Sequence, residues 1–149
     1  MLVKFNNLLK QFQTHKEEYE QKIKDVMESG YYILGNEVKH FEEEFANYVG
    51  SKYCVGLASG LDALIIAFRA LGISKGDEVI VQSNTYIASV MGISINGATP
   101  VFVEPNEYYN IDSSKIEEKI NSKTKAILVV HLYGQASNMK DMQELCDKY

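Results

Sequence analysis

The stretch YCVGLASGLDALIIAFRALGI, Tyr53 to Ile73, changes its hydrophobic pattern part-way and sets the expectation for everything around it. Tyr53 to Leu57 is a β-favouring run, Ala58-Ser59-Gly60 is a turn, and from Leu61 the apolar residues Leu61, Leu64, Ile65, Phe68 and Leu71 recur at helical spacing. The unit reads as strand, turn and helix. Ile66 and Ala67 fill the remaining arc, so the helix is expected to be apolar around most of its circumference and buried between layers. Gly72 supplies the stop. Gly60 falls where the chain reverses, which leaves backbone amides unpaired at the helix start, and unpaired amides there attract anions. Asp62 sits in the first helical turn, favourably placed against the helix dipole. No Walker lysine follows the turn and no G-x-G-x-x-G is present, so the nucleoside-triphosphate and dinucleotide readings lose their main support.

Composition bounds what else the chain can be. Its 149 residues are 46% hydrophobic and 23% charged, the balance of a soluble globular domain. Fifteen basic against twenty acidic residues give a net charge of -5, which argues against a general nucleic-acid surface. A small-molecule partner is expected instead. Cys54 and Cys146 fit reduced packing residues better than a disulfide framework, and no Cys and His lie at metal-ligand spacing. No signal-peptide core and no run of about 18 apolar residues occurs, so a cytoplasmic setting without membrane insertion is expected. No G-x-S-x-G elbow marks a hydrolase. His15 and His40 lie on exposed-looking amphipathic segments, and the glutamates at 18, 20 and 42 to 44 read as solvated helix faces.

Before the central unit the chain reads as helical. Val3, Leu8, Leu9 and Phe12 are spread among polar residues, and Tyr19, Ile23, Val26 and Met27 mark one helical face up to Ser29-Gly30. Tyr31 to Leu34 is an exposed-looking apolar run ended by Gly35-Asn36, with Asn36 a good cap for a helix carrying Val38, Phe41, Phe45 and Tyr48 and stopping at Gly50. Residues 1–50 are thus expected as an N-terminal helical segment, and 51–149 as an α/β part. After the central unit, Asp77 to Val81 reads as a second strand, with a helix opening near Asn84-Thr85 and closing at Gly97. Ala98 to Val103 is a third strand, a capping-box-like Asp112-Ser113-Ser114 with Glu117 opens another helix, and Ala126 to His131 is a fourth strand buried on both faces. A helix follows from Asn138. Four strands separated by helices predict a mostly parallel sheet with helices on both faces.

Ligands of such sheets gather at the carboxyl ends of the strands. Those ends carry Ser59-Gly60-Leu61, Ser83-Asn84-Thr85-Tyr86, Glu104-Pro105-Asn106 and His131-Leu132-Tyr133-Gly134. One rim therefore combines an amide nest, an aromatic plane and a histidine.

Six segments, ILGNEVKHFEEEFANYVG, ASGLDAL, ALGISKGDEVIVQSNTYIAS, NGATPVFVEP, YNID and TKAILVVHLYGQ, together resemble the DegT-type sugar-nucleotide aminotransferases, pyridoxal-phosphate enzymes of fold-type I. The resemblance covers about Tyr32 to Tyr149 and rests on the order and spacing of the segments. It implies that the amides of Gly60 and Leu61 bind the cofactor phosphate and that Tyr86 stacks on the pyridine ring; His131, from the strand-end rim read above, is expected as a further cofactor contact. Tyr32 and Asn84 are expected as substrate contacts. The family often has Thr where this chain has Leu61, so here the phosphate contact is expected through the backbone alone.

The same resemblance implies a longer parent. Family members continue into a strand bearing the acidic partner of the pyridine nitrogen and then to the Schiff-base lysine. None of Lys10, Lys39, Lys52 or Lys125 matches that lysine's motif, so no catalytic residue is assigned in this chain, which is expected to be the N-terminal portion of the large domain. The parent is expected to move an amino group, usually from glutamate, to a nucleotide-linked keto-sugar in deoxyaminosugar or cell-surface polysaccharide biosynthesis, as a homodimer with Tyr31 to Leu34 against the partner. The alternatives are a dehydratase of the same family and a non-catalytic small α/β binding domain.

Overall fold

The computed structural model of the protein describes residue 4 and residues 6–149, so Val3 lies outside the described residues. The chain divides into two compact units, Met1–Gly56 and Leu57–Tyr149.

In the first unit, α1 (Leu8–Thr14) is capped by Asn7, whose side chain accepts from the Lys10 amide at 3.2 Å. Helix α2 (Lys16–Ser29) stops at Gly30 in the left-handed conformation, φ 67°, where a side chain would be strained. Helix α3 (Asn36–Val49) has its cap one residue earlier than expected. Gly35 is the N-cap and Asn36 is the first helical residue. Gly35 is dictated by space, since an added Cβ would lie 2.8 Å from the Tyr31 carbonyl oxygen. Only Ala46 of these three helices is buried. Tyr31 to Leu34 is exposed throughout, as its sequence suggests.

The expected first strand is absent. Tyr53 to Leu57 pairs with no strand among the described residues, and Tyr53 is 75% exposed. A β-favouring run becomes a strand only where a neighbour takes its backbone bonds. Here the Gly56 amide instead donates to Glu42 Oε1 at 2.6 Å. Glu42 is in consequence half-buried, and not on a wholly solvated face as its place in the acidic run suggested.

The second unit holds α4 (Gly60–Ala70), β1 (Glu78–Gln82), α5 (Ile87–Ser94), β2 (Thr99–Val103), β3 (Thr124–Leu128) and α6 (Met139–Lys148). Three parallel strands lie in the order β2-β1-β3, with Val81 opposite Phe102 on one side and Leu128 on the other. The alternation of β1 divides the core. Val79 and Val81 face Phe68, Ile73, Ile93 and Ala98, while Ile80 packs with Val103, Ile111, Ile116 and Met142. Helices α4 and α5 therefore cover one face and α6 the other.

Three further expectations are corrected. Strand β3 begins and ends earlier than Ala126–His131 and is half-buried, because β1 is its single partner. The segment after Asp112 forms two 3-10 turns, Ser113–Lys115 and Glu117–Lys119, instead of one α-helix. Asp112 still caps: its Oδ1 accepts from the Ser114 hydroxyl and amide, and these bonds hold its carboxyl below the ordinary carboxylate range. Finally, α4 buries Phe68 but exposes Ala63, Ile66, Ala67 and Ala70 along one face, since no described residue of its unit lies over it. Leu64 and Ile65 are half-buried. Cys54 and Cys146 are free thiols.

Candidate functional site

Helix α4 starts with its amides arranged for an anion. Ser59 Oγ accepts from the Asp62 amide at 3.1 Å and donates to Asp62 Oδ2 at 2.8 Å, and the first helical bond runs from Ala63 N–H to Ser59 C=O. Neither the Gly60 nor the Leu61 amide has a partner among the described residues. They are two of the orphan donors that every helix start leaves, and the macrodipole adds positive potential at that end. The space beside them is open, since an added Cβ at Gly60 would meet no atom within 4 Å.

Tyr86 is brought to the same place by helix packing. It is the extended residue preceding α5, and its side chain is 74% exposed. Helix α5 can lie close to α4 because Gly92 has no side chain; a Cβ there would lie 2.7 Å from Leu64 Cβ. Asn96 fastens the pair. Its Nδ2 donates to the Ile65 and Gly92 carbonyls at 3.0 and 2.9 Å, and its Oδ1 accepts from Arg69 Nε at 3.3 Å. Ser59, Gly60, Leu61, Tyr86 and Ile87 thereby line one concavity of about 590 Å³. Two free amides and an aromatic face in one hollow suit a phosphorylated planar ligand, and the residues present fit pyridoxal phosphate on that count.

His131 does not line this hollow. Its Nδ1 accepts the Ser137 amide at 3.1 Å, in a loop also gripped by Asn110. Asn84 donates to the Tyr109 carbonyl at 3.0 Å and accepts from Gln82 Nε2 at 3.1 Å, which leaves one N–H and one lone pair for a ligand. Gln82 Oε1 is buried without a partner among the described residues. Tyr32 belongs to the other unit, where its hydroxyl donates to the Met27 carbonyl at 3.2 Å and its ring lines a hollow of about 390 Å³ with Val26, Leu34 and Val38. Gly92, Asn96, Asn110 and Ser137 escaped the sequence reading. A lone glycine inside an apolar helix is the one available signal among them, marking a close approach.

Residues 13–149 match the DegT/DnrJ/EryC1/StrS aminotransferase family. The chain belongs to that family. It is 59% identical over 136 residues to the dTDP-3-amino-3,6-dideoxy-alpha-D-galactopyranose transaminase of Aneurinibacillus thermoaerophilus, covering 91% of this chain and 38% of that protein. It is 45% identical over 148 residues to the dTDP-3-amino-3,4,6-trideoxy-alpha-D-glucose transaminase of Streptomyces venezuelae, covering 99% of this chain and 39% of that one. The solved structure of S. venezuelae DesV superposes with a TM-score of 0.94 at 46% identity, over 98% of this chain and 40% of that chain. Bacillus subtilis NtdA, solved with the cofactor PMP bound, gives a TM-score of 0.87 at 34% identity, over 91% of this chain and 32% of that chain. The chain spans about two fifths of the length of the curated relatives it matches. Among the described residues no helix is long and apolar enough to cross a membrane.

Proposed function

We propose that this chain forms the phosphate- and ring-binding part of a pyridoxal-phosphate-dependent aminotransferase acting on a nucleotide-linked keto-sugar. The observation that carries the reading is the shared hollow of the unpaired Gly60 and Leu61 amides and the exposed Tyr86 ring. The two amides donate to phosphate oxygens at the positive end of α4, Leu61 through its backbone alone because its side chain has no hydroxyl. Tyr86 offers a ring face for stacking and shields one side of the ligand from water. His131 contributes a donor at the neighbouring strand end, and the remaining N–H of Asn84 and the Tyr32 ring are the substrate contacts. Pyridoxal phosphate bound there supplies the electron sink that amino transfer requires.

In the whole protein the amino group passes from glutamate to the keto carbon of the sugar, with C3 favoured by the products named for the two transaminases above. Tyr31 to Leu34 is the surface assigned to a second copy. Titration of the ¹⁵N-labelled chain with pyridoxal 5'-phosphate tests the cofactor reading. The Gly60 and Leu61 amide resonances are expected to move first. Tyr86→Ala is expected to weaken binding about tenfold by loss of one stacking face. Leu61→Pro, which a first helical turn tolerates, removes one donor and is expected to weaken binding about fivefold. Affinity unchanged in both variants would place the cofactor elsewhere.

A further inference from the structure

A serine or threonine inside a helix ordinarily returns its hydroxyl hydrogen to a backbone carbonyl about one turn back. Thr14 of α1 and Ser29 of α2 do so, donating to the Lys10 and Val26 carbonyls at 2.9 and 2.7 Å. Ser89 of α5 does not. Its Oγ lies 2.8 Å from the Thr85 hydroxyl, and neither hydroxyl meets another partner among the described residues. Two hydroxyls carry two hydrogens and the contact between them uses one. One hydrogen is therefore left without an acceptor, although Ser89 is only 6% exposed.

Helix packing shows where that hydrogen can be used. Helices α4 and α5 run the same way: Gly92 is set against Leu64, and one turn further on Asn96 bonds to the Ile65 carbonyl and the Arg69 side chain. One turn back from Gly92 is Ser89, and one turn back from Leu64 are Gly60 and Leu61. Ser89, Gly60 and Leu61 all line the same hollow, and Thr85 lies outside its lining. A phosphate group presents three acceptor oxygens, whereas the start of α4 offers the two amides of Gly60 and Leu61. We infer that Ser89 supplies the third donor, its hydroxyl, to a phosphate bound at the start of α4. Thr85 is a positioning residue: it donates to Ser89 Oγ and so turns the Ser89 hydrogen towards the hollow. The phosphate is in this way held from both helices. The inference rests on the cofactor reading above for the identity of the ligand, and on the hydroxyl pair and the helix contact for the donor.

Pyridoxamine 5'-phosphate and pyridoxamine differ only in the phosphate, and neither carries an aldehyde that reacts with surface lysines. Calorimetry of the full chain measures the affinity of both, and of inorganic phosphate. Ser89→Ala is expected to weaken pyridoxamine 5'-phosphate and inorganic phosphate about tenfold, the order of one hydrogen bond to a charged group, and to leave pyridoxamine within about twofold. Thr85→Val keeps the shape without the hydroxyl and is expected to weaken both phosphate ligands about threefold; Thr85→Ser is expected to bring them back to within about twofold of the wild type. Added to Ser89→Ala, Thr85→Val is expected to change affinity by less than about twofold, because a positioning residue acts only through the hydroxyl it orients. Unchanged phosphate affinity in Ser89→Ala overturns the assignment. Equal losses for pyridoxamine and its phosphate also overturn it, since Ser89 then only shapes the hollow. A tenfold effect of Ser89→Ala on inorganic phosphate, in a chain that binds pyridoxamine 5'-phosphate no more tightly than phosphate itself, supports the donor and overturns the ring-stacking part of the cofactor reading. A wild-type chain that binds neither phosphate ligand overturns both.

Discussion

Helices α2 and α4 both carry an apolar face written at helical spacing, yet Tyr19, Ile23 and Met27 of α2 are each about half exposed or more while Phe68 of α4 is 5% exposed. Among the described residues the unit Met1–Gly56 buries one helical residue, Ala46; the unit Leu57–Tyr149 closes two apolar clusters around β1. Periodicity specifies that a helix has an apolar side, and only a surface set against that side turns it into stability. In the first unit the local substitutes are an Asn7 cap, glycine stops and i,i+4 ion pairs such as Lys16–Glu20 at 3.6 Å and Lys24–Glu28 at 3.8 Å. Exposed pairs of this kind contribute about 0.3–0.5 kcal/mol each.

The largest expected effect of this contrast is in amide exchange. Val79 to Val81 should exchange slower than the amides of α2 by a factor on the order of a thousand, because a core strand opens only with its whole unit whereas a helix with no buried side chain frays. Equal protection by exchange mass spectrometry would erase the distinction between the units. Next, Phe68→Ala should lower unfolding stability by about 3–5 kcal/mol in urea melts, and a loss below about 1 would make α4 peripheral. Gly92→Ala should lose about 1–3 kcal/mol, because the Cβ must displace Leu64 from the α4–α5 contact. The same substitution should weaken pyridoxal phosphate binding, since it pushes Tyr86 away from Gly60; full affinity would show the hollow to be independent of that helix contact. Smallest of all, Phe12→Ala should change melting stability by less than about 0.5 kcal/mol despite the Phe12–Tyr19 stack at 6.0 Å, because both rings face solvent.

The sequence was most legible where one residue dictates local geometry. Gly30 and Gly50 stop their helices at positive φ, Asn138 caps α6 by accepting from the Asp141 amide, and the runs around Val79–Val81 and Pro100–Val103 pair as parallel strands. It was least legible where the outcome depends on a neighbour. Tyr53 to Leu57 has strand-forming residues and no strand beside it, and Ile66 has a core residue's chemistry and open space around it. Ser113 to Ile120 has a helix's capping pattern, yet Ile111 and Ile116 both turn into the cluster under β1, and short 3-10 turns accommodate that where a continuous helix does not. At the site, Gly60, Leu61 and Tyr86 could be nominated from a turn before a helix and an aromatic after a strand. Asn110 and Ser137 could not, since their importance lies in bonds to residues more than one turn away.

The strand order β2-β1-β3 also implies a sequence of events in time. Pairing β1 with β2 closes a loop that contains little beyond α5, while pairing β1 with β3 closes one roughly twice as long, and each doubling of loop length costs about 0.6 kcal/mol of chain entropy. The crossover unit β1-α5-β2 is therefore the natural nucleus, its contacts being the more local of the two pairings. Strand β3 and the His131 loop behind it dock afterwards. On this order Gly92 and Tyr86 are placed early, and the loop that begins at His131 takes its place only after β3 has found β1.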